Sequence, residues 1–195
     1  MSLRTSDTDP IYVNLVAPEV IGLPGRLGMT IAPGKKDLPG AWDRDLERDL
    51  ARLKSEYRTR LLVPLVEEHE LRFLEIPDLL ERAKAHGIDT EWFPIRDVSV
   101  PTSAEALVPV VERILGALRE GHTVVVHCRG GLGRSGVVVA CCLVALGTDA
   151  ECAMAAVRAA RTGAIEVPSQ EAFVRKFAGT WERSRAGRGV RSHGR

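Results

Sequence analysis

One short segment of the chain brings together the residue types that could carry out nucleophilic chemistry on a bound anion. Five residues, three of them glycine, separate Cys128 from Arg134, and Ser135 follows directly. The apolar run 123–126 before this turn predicts a buried strand, and the small and apolar run 137–146 after it predicts a helix. Such a turn directs backbone N–H groups and a helix N-terminus toward an anion. A cysteine in that position ionises easily and attacks the anion that binds there.

The side chains of the turn suit a phosphoryl group. The planar guanidinium of Arg134 can hold two phosphoryl oxygens at once, and Ser135 supplies a hydroxyl at the start of the following helix. The residues expected to bind the phosphate are Arg129, Gly130, Gly131, Leu132, Gly133 and Arg134. If Cys128 were only a small core residue at a strand end, the glycines, the arginine and the serine behind it would have no explanation. We therefore interpret the turn as a phosphate-binding loop with Cys128 as its nucleophile.

A thiolate nucleophile also needs an acid that protonates the leaving oxygen. Asp97 lies in a proline-bounded loop after a predicted short strand, 92–95, and is the best candidate. Taken alone, an aspartate in a loop is more often a solvated surface group. Asp78 and Asp89 flank a predicted helix and are weaker candidates, because they fit helix caps or surface positions.

The segment from His127 to Ser135 resembles the signature of the cysteine-dependent protein tyrosine and dual-specificity phosphatases. It looks most like the form found in the cyclin-dependent-kinase-associated phosphatase group and its bacterial relatives. Three further segments are similar to that group: Gly-Leu-Pro-Gly at 22–25, Pro-Ile-Arg-Asp at 94–97, and Gly-Ala-Ile at 163–165 with Gln170 five residues on. The resemblance covers about residues 11–177.

The resemblance implies a hydrolysis in two steps. Cys128 attacks phosphorus and forms a cysteinyl-phosphate while Asp97 protonates the leaving oxygen. Asp97 then acts as the base for the water that hydrolyses this intermediate. Arg134 and the loop amides stabilise the equatorial oxygens, and Ser135 assists the departure of the thiolate.

The same resemblance implies two supporting residues and no cofactor. His127 holds the loop and tunes the thiol without touching the substrate, and Gln170 places the hydrolytic water. The family requires no metal, so we expect neither a metal nor another cofactor in this chain.

The expected partner is a phosphorylated protein substrate. The chain lacks a Lys-Asn-Arg-Tyr-like segment of the kind that deepens the pocket of tyrosine-specific relatives. Phosphoserine and phosphothreonine should therefore enter as well as phosphotyrosine. Arg129, beside the nucleophile, either faces solvent or adds affinity for doubly charged substrates. Phosphoinositide phosphatases often carry two basic residues in this loop, and Leu132 at the second position weakens that alternative.

Three other functions stay open on the sequence alone. A phosphatase for inositol phosphates, phosphoinositides or RNA 5′ ends would use the same residues. A non-catalytic module that binds phosphorylated partners would not need the nucleophile and the acid together. A sulfur-transfer enzyme of the rhodanese type would need neither Asp97 nor Ser135.

The composition indicates an ordinary globular chain without bulk charge. In 195 residues, 27 Lys and Arg stand against 26 Asp and Glu, so we expect no binding to nucleic acid or to a membrane. We recognise no signal segment and no apolar run long enough to span a bilayer. None of the four cysteines has a metal-binding spacing, which indicates a reducing, cytoplasmic compartment. Cys141 and Cys142 are expected in the core of the helix after the loop, whereas Cys152 has no predicted place.

The elements that must position these residues alternate between strands and helices. Strands are predicted over 11–16, 27–31, 60–66 and 92–95 and directly before Cys128, and helices over 43–57, 77–86, 102–118, 137–146, 148–160 and 169–181. This order predicts an α/β fold with a single domain, a mostly parallel central sheet flanked by helices, and the phosphatase loop between a strand and a helix. The predicted organisation is a flexible N-terminus over 1–10, a phosphatase domain over 11–181 and a basic disordered tail over 182–195.

Two other segments look like sites and are rejected. Residues 28–36 suggest a nucleotide-binding loop, but Gly28 and Gly34 are one residue too far apart, and Lys36 stands where Ser or Thr should follow Lys35. Residues 67–70 offer three glutamates and a histidine, yet four consecutive side chains cannot all face one ion. We interpret 67–70 as a solvated strand end.

Overall fold

A computed structural model of the chain describes residues 3–189. Its strands are β1 (Asn14–Leu15), β2 (Arg26–Thr30), β3 (Lys36–Asp37), β4 (Trp42–Asp43), β5 (Thr59–Pro64), β6 (Asp89–Thr90) and β7 (Thr123–His127). The main sheet has the order β1-β2-β7-β5-β6, and its last four strands run parallel while β1 pairs antiparallel at the edge. Strands β3 and β4 form a separate antiparallel hairpin. The predicted α/β fold with a mostly parallel sheet is confirmed.

Helices cover both faces of this sheet. They are α1 (Pro18–Ile21), α2 (Leu46–Ser55), α3 (Glu68–Phe73), α4 (Leu79–Ala85), α5 (Ala104–Arg119), α6 (Gly133–Ala145), α7 (Ala150–Ala160) and α8 (Pro168–Gly189). The central strand β7 shows how the layers arise, since its successive side chains point to opposite faces. Val124 and Val126 pack in the cluster that includes α5 to α8, and Val125 packs in the cluster that includes α2 to α4. All three valines are fully buried, which explains the unbroken apolar run in the sequence.

Three helices begin at polar caps that the local sequence provides. The side chains of Asp45, Ser103 and Asp149 accept hydrogen bonds from backbone N–H groups in the first turns of α2, α5 and α7. Each cap satisfies a donor that the start of a helix leaves unpaired. Helices α5 and α7 therefore begin two residues after the predicted starts at 102 and 148.

Several predicted element bounds differ from the structure. Strand β1 covers two residues of the predicted strand 11–16. Residues 92–95 are extended but form no strand, because Pro94 has no N–H to donate, and the segment joins the sheet through single bonds from Phe93 and Ile95. Helix α6 begins at Gly133 rather than at residue 137.

Within the described residues, the segments near both ends of the chain form hydrogen-bonded structure. The predicted flexible N-terminus lies against the β3–β4 hairpin: the Arg4 N–H donates to the Ala41 carbonyl, and the Asp43 N–H donates to the Arg4 carbonyl. Helix α8 continues eight residues past Trp181, so 182–189 of the predicted disordered tail are helical. Residues 1–2 and 190–195 lie outside the described residues.

Candidate active site

The turn after β7 holds the Cys128 thiol between two hydrogen-bond donors. The strand delivers the turn to the carboxyl edge of the parallel sheet, where open α/β sheets bind their ligands. Cys128 is buried, and its Sγ accepts a hydrogen bond from the Gly131 N–H at 3.2 Å. The Ser135 Oγ lies 3.3 Å from the same sulfur. Both groups lie within hydrogen-bond distance of the sulfur, and both carry a hydrogen that can be donated to it.

Two glycines of the loop lie very close to neighbouring atoms, and at Gly131 that neighbour is backbone. Gly131 has φ of +68°, and a Cβ there would lie 2.3 Å from the Thr30 carbonyl oxygen at the end of β2. A Cβ at Gly133 would lie 2.4 Å from the Glu166 Oε2. At Gly130 the nearest atom would be 4.0 Å away, so space does not demand glycine there. The loop can pass this close to the Thr30 carbonyl because Gly131 has no side chain.

Three acceptor groups hold the Arg134 guanidinium in place. Its buried guanidinium donates two hydrogen bonds to the Glu70 carboxylate, at 2.6 Å and 2.9 Å, and one to the Ile95 carbonyl at 2.9 Å. The remaining contact is an ion pair of 2.8 Å between Nη2 and the Asp97 Oδ1. Burial alone would lower the pKa of Arg134, but the hydrogen bonds and charge of Glu70 and the charge of Cys128 raise it above its ordinary value. The guanidinium therefore stays charged and fixed beside the thiol.

Glu70 is a site residue that the sequence interpretation missed. The prediction of a solvated strand end at 67–70 is wrong, because this segment starts helix α3. Glu70 stands at the third position of the helix, where its carboxylate accepts from the Glu67 N–H at 2.9 Å and turns inward to Arg134. Burial raises the pKa of Glu70, but the hydrogen bonds from Arg134 and the Glu67 N–H, together with the charge of Arg134, leave the pKa below its usual range. The Glu-x-x-Glu spacing was a weak signal, since glutamate is an uncommon residue at a helix N-cap.

Asp97 reaches the same guanidinium from the loop after β6. Its side chain is half-exposed, and its Oδ1 also accepts from the Val98 N–H at 3.0 Å. Val98 has φ of +54°, a conformation that costs free energy for a β-branched residue and is often kept at functional sites. The two weaker candidates lie elsewhere: Asp89 pairs with Arg60 at 3.2 Å, and Asp78 precedes helix α4.

A cavity of about 240 Å³ opens over the thiol. Its lining includes Cys128, Arg134, Asp97, Arg129, Glu166 and Lys35. The last two were not predicted, because they come from loops far away in the sequence. Arg129 donates to Asp37 at 2.7 Å and lies over the Phe73 ring, 5.1 Å from its centroid. Arg129 is therefore about 38% exposed and anchored to Asp37 at the cavity wall.

His127 lies beneath the loop and away from the cavity. It is fully buried, and its Nδ1 lies 3.3 Å from the Cys128 carbonyl oxygen, so the proton belongs on Nδ1. Burial, more than any other effect, lowers the pKa of His127 to about 4. The imidazole is thus neutral near pH 7 and contributes no charge to the site.

Gln170 ties two loops together. Its Nε2 donates to the Ser99 carbonyl at 3.1 Å, and its Oε1 accepts from the Glu166 N–H at 2.9 Å. Ser99 lies two residues after Asp97 in the loop that follows β6, which we call the acid loop, whereas Glu166 belongs to the loop before α8. The fully buried Gln170 side chain is therefore placed to hold the acid loop, as well as lying next to Gly133.

The other cysteines are separate from this chemistry. Cys141 and Cys142 are buried in α6 as expected, and burial raises the pKa of both thiols. Cys152 is exposed. Within residues 3–189, no cluster of three or more His, Cys, Asp or Glu is arranged to hold a metal ion. No helix in that part of the chain is long and apolar enough to cross a membrane.

Comparison with known proteins places this architecture in a described family. Residues 5–156 match the family described as cyclin-dependent kinase inhibitor 3. A relative of that name from Sus scrofa is 28% identical over 181 residues, which cover 89% of this chain and 84% of the relative.

Two solved structures are similar over most of their length. A kinase-associated phosphatase, with its catalytic-site cysteine replaced by serine, superposes with a TM-score of 0.81 at 26% identity and covers 88% of this chain and 96% of its own. The structure of Tk-PTP in the active form gives a TM-score of 0.66 at 30% identity, covering 80% of this chain and 92% of its own. The resemblance expected from the loop motif and its flanking segments is confirmed.

Proposed function

The chain belongs to the cyclin-dependent kinase inhibitor 3 family and is a phosphatase of the protein tyrosine and dual-specificity class; from this premise we propose that it hydrolyses phosphotyrosine and phosphoserine or phosphothreonine in proteins through a cysteinyl-phosphate on Cys128. The observation that carries the proposal is the environment of the Cys128 sulfur. It lies within 3.3 Å of both the Gly131 N–H and the Ser135 hydroxyl, in a cavity shared with Arg134 and Asp97.

In the first step, the Cys128 thiolate attacks the phosphorus of the bound monoester. A sulfur–phosphorus bond forms as the bond from phosphorus to the ester oxygen breaks. That oxygen leaves with the bonding electron pair and takes a proton from Asp97, so the product is the free hydroxyl of the substrate residue. Arg134 and the loop N–H groups hold the three equatorial oxygens, where charge is spread in the transition state.

In the second step, water attacks the phosphorus of the cysteinyl-phosphate. Asp97, now a carboxylate, accepts the proton from that water, and the sulfur–phosphorus bond breaks to release inorganic phosphate. The Ser135 hydroxyl, 3.3 Å from the sulfur, donates a hydrogen bond to the departing thiolate. The thiolate is thereby regenerated, and no cofactor enters the balance.

Three residues are proposed to position the reacting groups rather than to touch the substrate. Glu70 orients the Arg134 guanidinium through two hydrogen bonds. His127 supports the loop through the Cys128 carbonyl. Gln170 is proposed to steady the acid loop, because its amide already binds the backbone of Ser99 and Glu166.

A phosphorylated protein is the substrate that we propose. The names of the relatives associate them with kinases. A phosphorylated kinase is therefore the first whole protein to test as a substrate. Because the chain lacks the segment that deepens the pocket of tyrosine-specific relatives, we expect the cavity to accept short as well as aromatic phosphorylated side chains.

The test is phosphate release from one phosphotyrosine peptide and one phosphothreonine peptide in EDTA. We expect release from both peptides by the native chain and none by Cys128→Ser. Ser135→Ala should slow the second step, so a covalent phosphoryl adduct on Cys128 should accumulate and be visible by intact-mass spectrometry. Release from neither peptide, or unchanged release by Cys128→Ser, would refute the proposal.

A further inference from the structure

Lys35 is a buried lysine in the wall of the active-site cavity. It lies in the loop between β2 and β3, and its relative exposure is 4%. Lysine is almost never buried to this extent unless a partner compensates its charge. Lys35 lines the same cavity as Cys128, Asp97 and Arg134, but neither the mechanism above nor the loop motif assigns it a task.

The charge of Lys35 lacks a carboxylate partner. Its Nζ donates one long hydrogen bond of 3.4 Å to the Arg129 carbonyl oxygen and lies 4.2 Å from the centroid of the Trp42 ring. Across residues 3–189 we find no ion pair that includes it. An ammonium has three N–H donors, so the protein leaves part of this group's hydrogen-bonding capacity unused. Burial lowers the pKa of Lys35 to about 8, in keeping with an ammonium that has lost hydration without full replacement.

Asp37 is the acidic side chain that acts most strongly on Lys35, and it is already paired with another cation. Asp37 accepts from the Arg129 guanidinium at 2.7 Å, and this hydrogen bond holds the pKa of Asp37 below its usual range. Arg129 is further held over the Phe73 ring. Arg129, the residue that the sequence suggested for a second anionic group, is thus largely neutralised, whereas Lys35 is not.

Other positive charge lies near Lys35 around the Trp42 ring. Arg4 and Arg44 also lie over the Trp42 ring, at 4.8 Å and 5.8 Å from its centroid. Arg44 is paired with Asp49 through two hydrogen bonds of 2.8 Å, so its charge is internally balanced. Of these three cations, Lys35 is the one that lines the cavity, and it has no carboxylate partner among the described residues.

We propose that Lys35 binds a second anionic group of the substrate, and that the preferred substrate is a phosphopeptide with an acidic residue beside the phosphorylated one. This inference rests on the proposed phosphatase function and narrows its substrate class. A carboxylate of the substrate would form an ion pair with the buried Lys35 ammonium, which has no such partner within the described residues of the protein. Charge-assisted hydrogen bonds of this kind are stronger than hydrogen bonds between neutral groups. Because the cavity holds both Lys35 and the phosphate loop, the two anionic groups must lie close together.

The test compares matched phosphothreonine peptides that differ only in the residue next to phosphothreonine, Glu in one and Ala in the other. We expect kcat/KM of the native chain to be about tenfold higher for the Glu peptide, the size of one charge-assisted hydrogen bond. Lys35→Met should bring the ratio near one, and Lys35→Arg should keep part of it. Lys36→Met is the matched control: Lys36 is exposed and pairs with Asp43 at 3.6 Å, so its loss should leave the ratio unchanged.

Two further measurements separate the possible failures. Turnover of para-nitrophenyl phosphate, which has no second anionic group, reports on the proposed phosphatase function and on the folding of Lys35→Met. If the native chain turns over neither this ester nor the peptides, the proposed function fails. If it turns them over but the Glu-to-Ala ratio is the same in the native chain and Lys35→Met, the inference is overturned. A Lys35-dependent preference for an inositol bisphosphate over both peptides would overturn the peptide assignment.

Discussion

The ion pair between Glu70 and Arg134 offers the most direct test of how the site is held together. The two side chains are buried, with 9% and 2% of their area exposed, and they share two hydrogen bonds. Glu70→Ala removes the carboxylate and leaves the guanidinium with the Ile95 carbonyl and Asp97. Glu70→Gln keeps the shape and one acceptor but removes the charge.

The expected magnitude follows from the burial of both partners. Breaking a buried ion pair by deleting one member costs about 3–5 kcal/mol. For a chain of this length, that loss lowers Tm by about 6–20 °C. Glu70→Gln should cost about 1.5–3 kcal/mol, the range for hydrogen bonds that involve a charged group. Because Arg134 then loses its orientation, kcat/KM should fall about 100-fold in either variant, as it does when one preorganised donor is lost.

The effect should also depend on pH in a defined direction. The pKa of Glu70 is lowered in the folded chain, so its stabilisation is fully present above the ordinary glutamate pKa of about 4.3 and is lost as the pH falls through the lower folded value. The difference in Tm between the native chain and Glu70→Gln should therefore shrink in acid.

The assay combines thermal unfolding with para-nitrophenyl phosphate hydrolysis. Glu68→Gln is the control, because Glu68 lies on the same helix, is exposed and pairs only with Arg72 among the ion pairs of the described residues. It should change neither Tm nor kcat/KM appreciably. If Glu70→Gln and Glu68→Gln behave alike, Glu70 does not orient Arg134 and the reasoning is refuted.

Three further predictions concern the loop and the acid. Because the pKa of buried His127 is about 4 rather than the usual 6.5, the native chain should lose about 3 kcal/mol of unfolding free energy as the pH falls from 6.5 to 4; urea unfolding of His127→Gln should show a smaller loss, and equal slopes would contradict the assignment. Asp97→Asn should lower kcat about 10²–10⁴-fold on a phosphothreonine peptide but much less on para-nitrophenyl phosphate, whose leaving group needs little protonation, and equal losses on both esters would exclude Asp97 as the acid. Gly131→Ala should cost about 2 kcal/mol or more, since its φ is positive and its Cβ would meet the Thr30 carbonyl, whereas Gly130→Ala should leave Tm nearly unchanged; similar Tm values for the two would show that the loop is not constrained as described.

The sequence by itself determined the parts of this protein that are written in consecutive residues. The phosphate loop is one such part, because strand, glycine turn and helix follow one another within 123–145 and each has a local signal. The alternation of strands and helices predicted the sheet class in the same way. The weaker local signals failed at the element ends: Pro94 interrupts the pairing of 92–95, and α8 continues past Trp181 although its polar residues suggested a tail.

The tertiary structure decided which distant residues complete the site. Glu70 lies 64 positions before Arg134, and no local pattern reveals that a glutamate at the start of α3 turns inward to a guanidinium. Lys35 lines the cavity beside Cys128, and Trp42, Asp37 and Arg129 form its surroundings although they come from separate parts of the chain. A residue's charge, exposure and pKa depend on the groups packed against it, and packing brings those groups from every part of the chain. The nucleophile could therefore be recognised from the sequence, whereas the groups that orient and surround it required the fold.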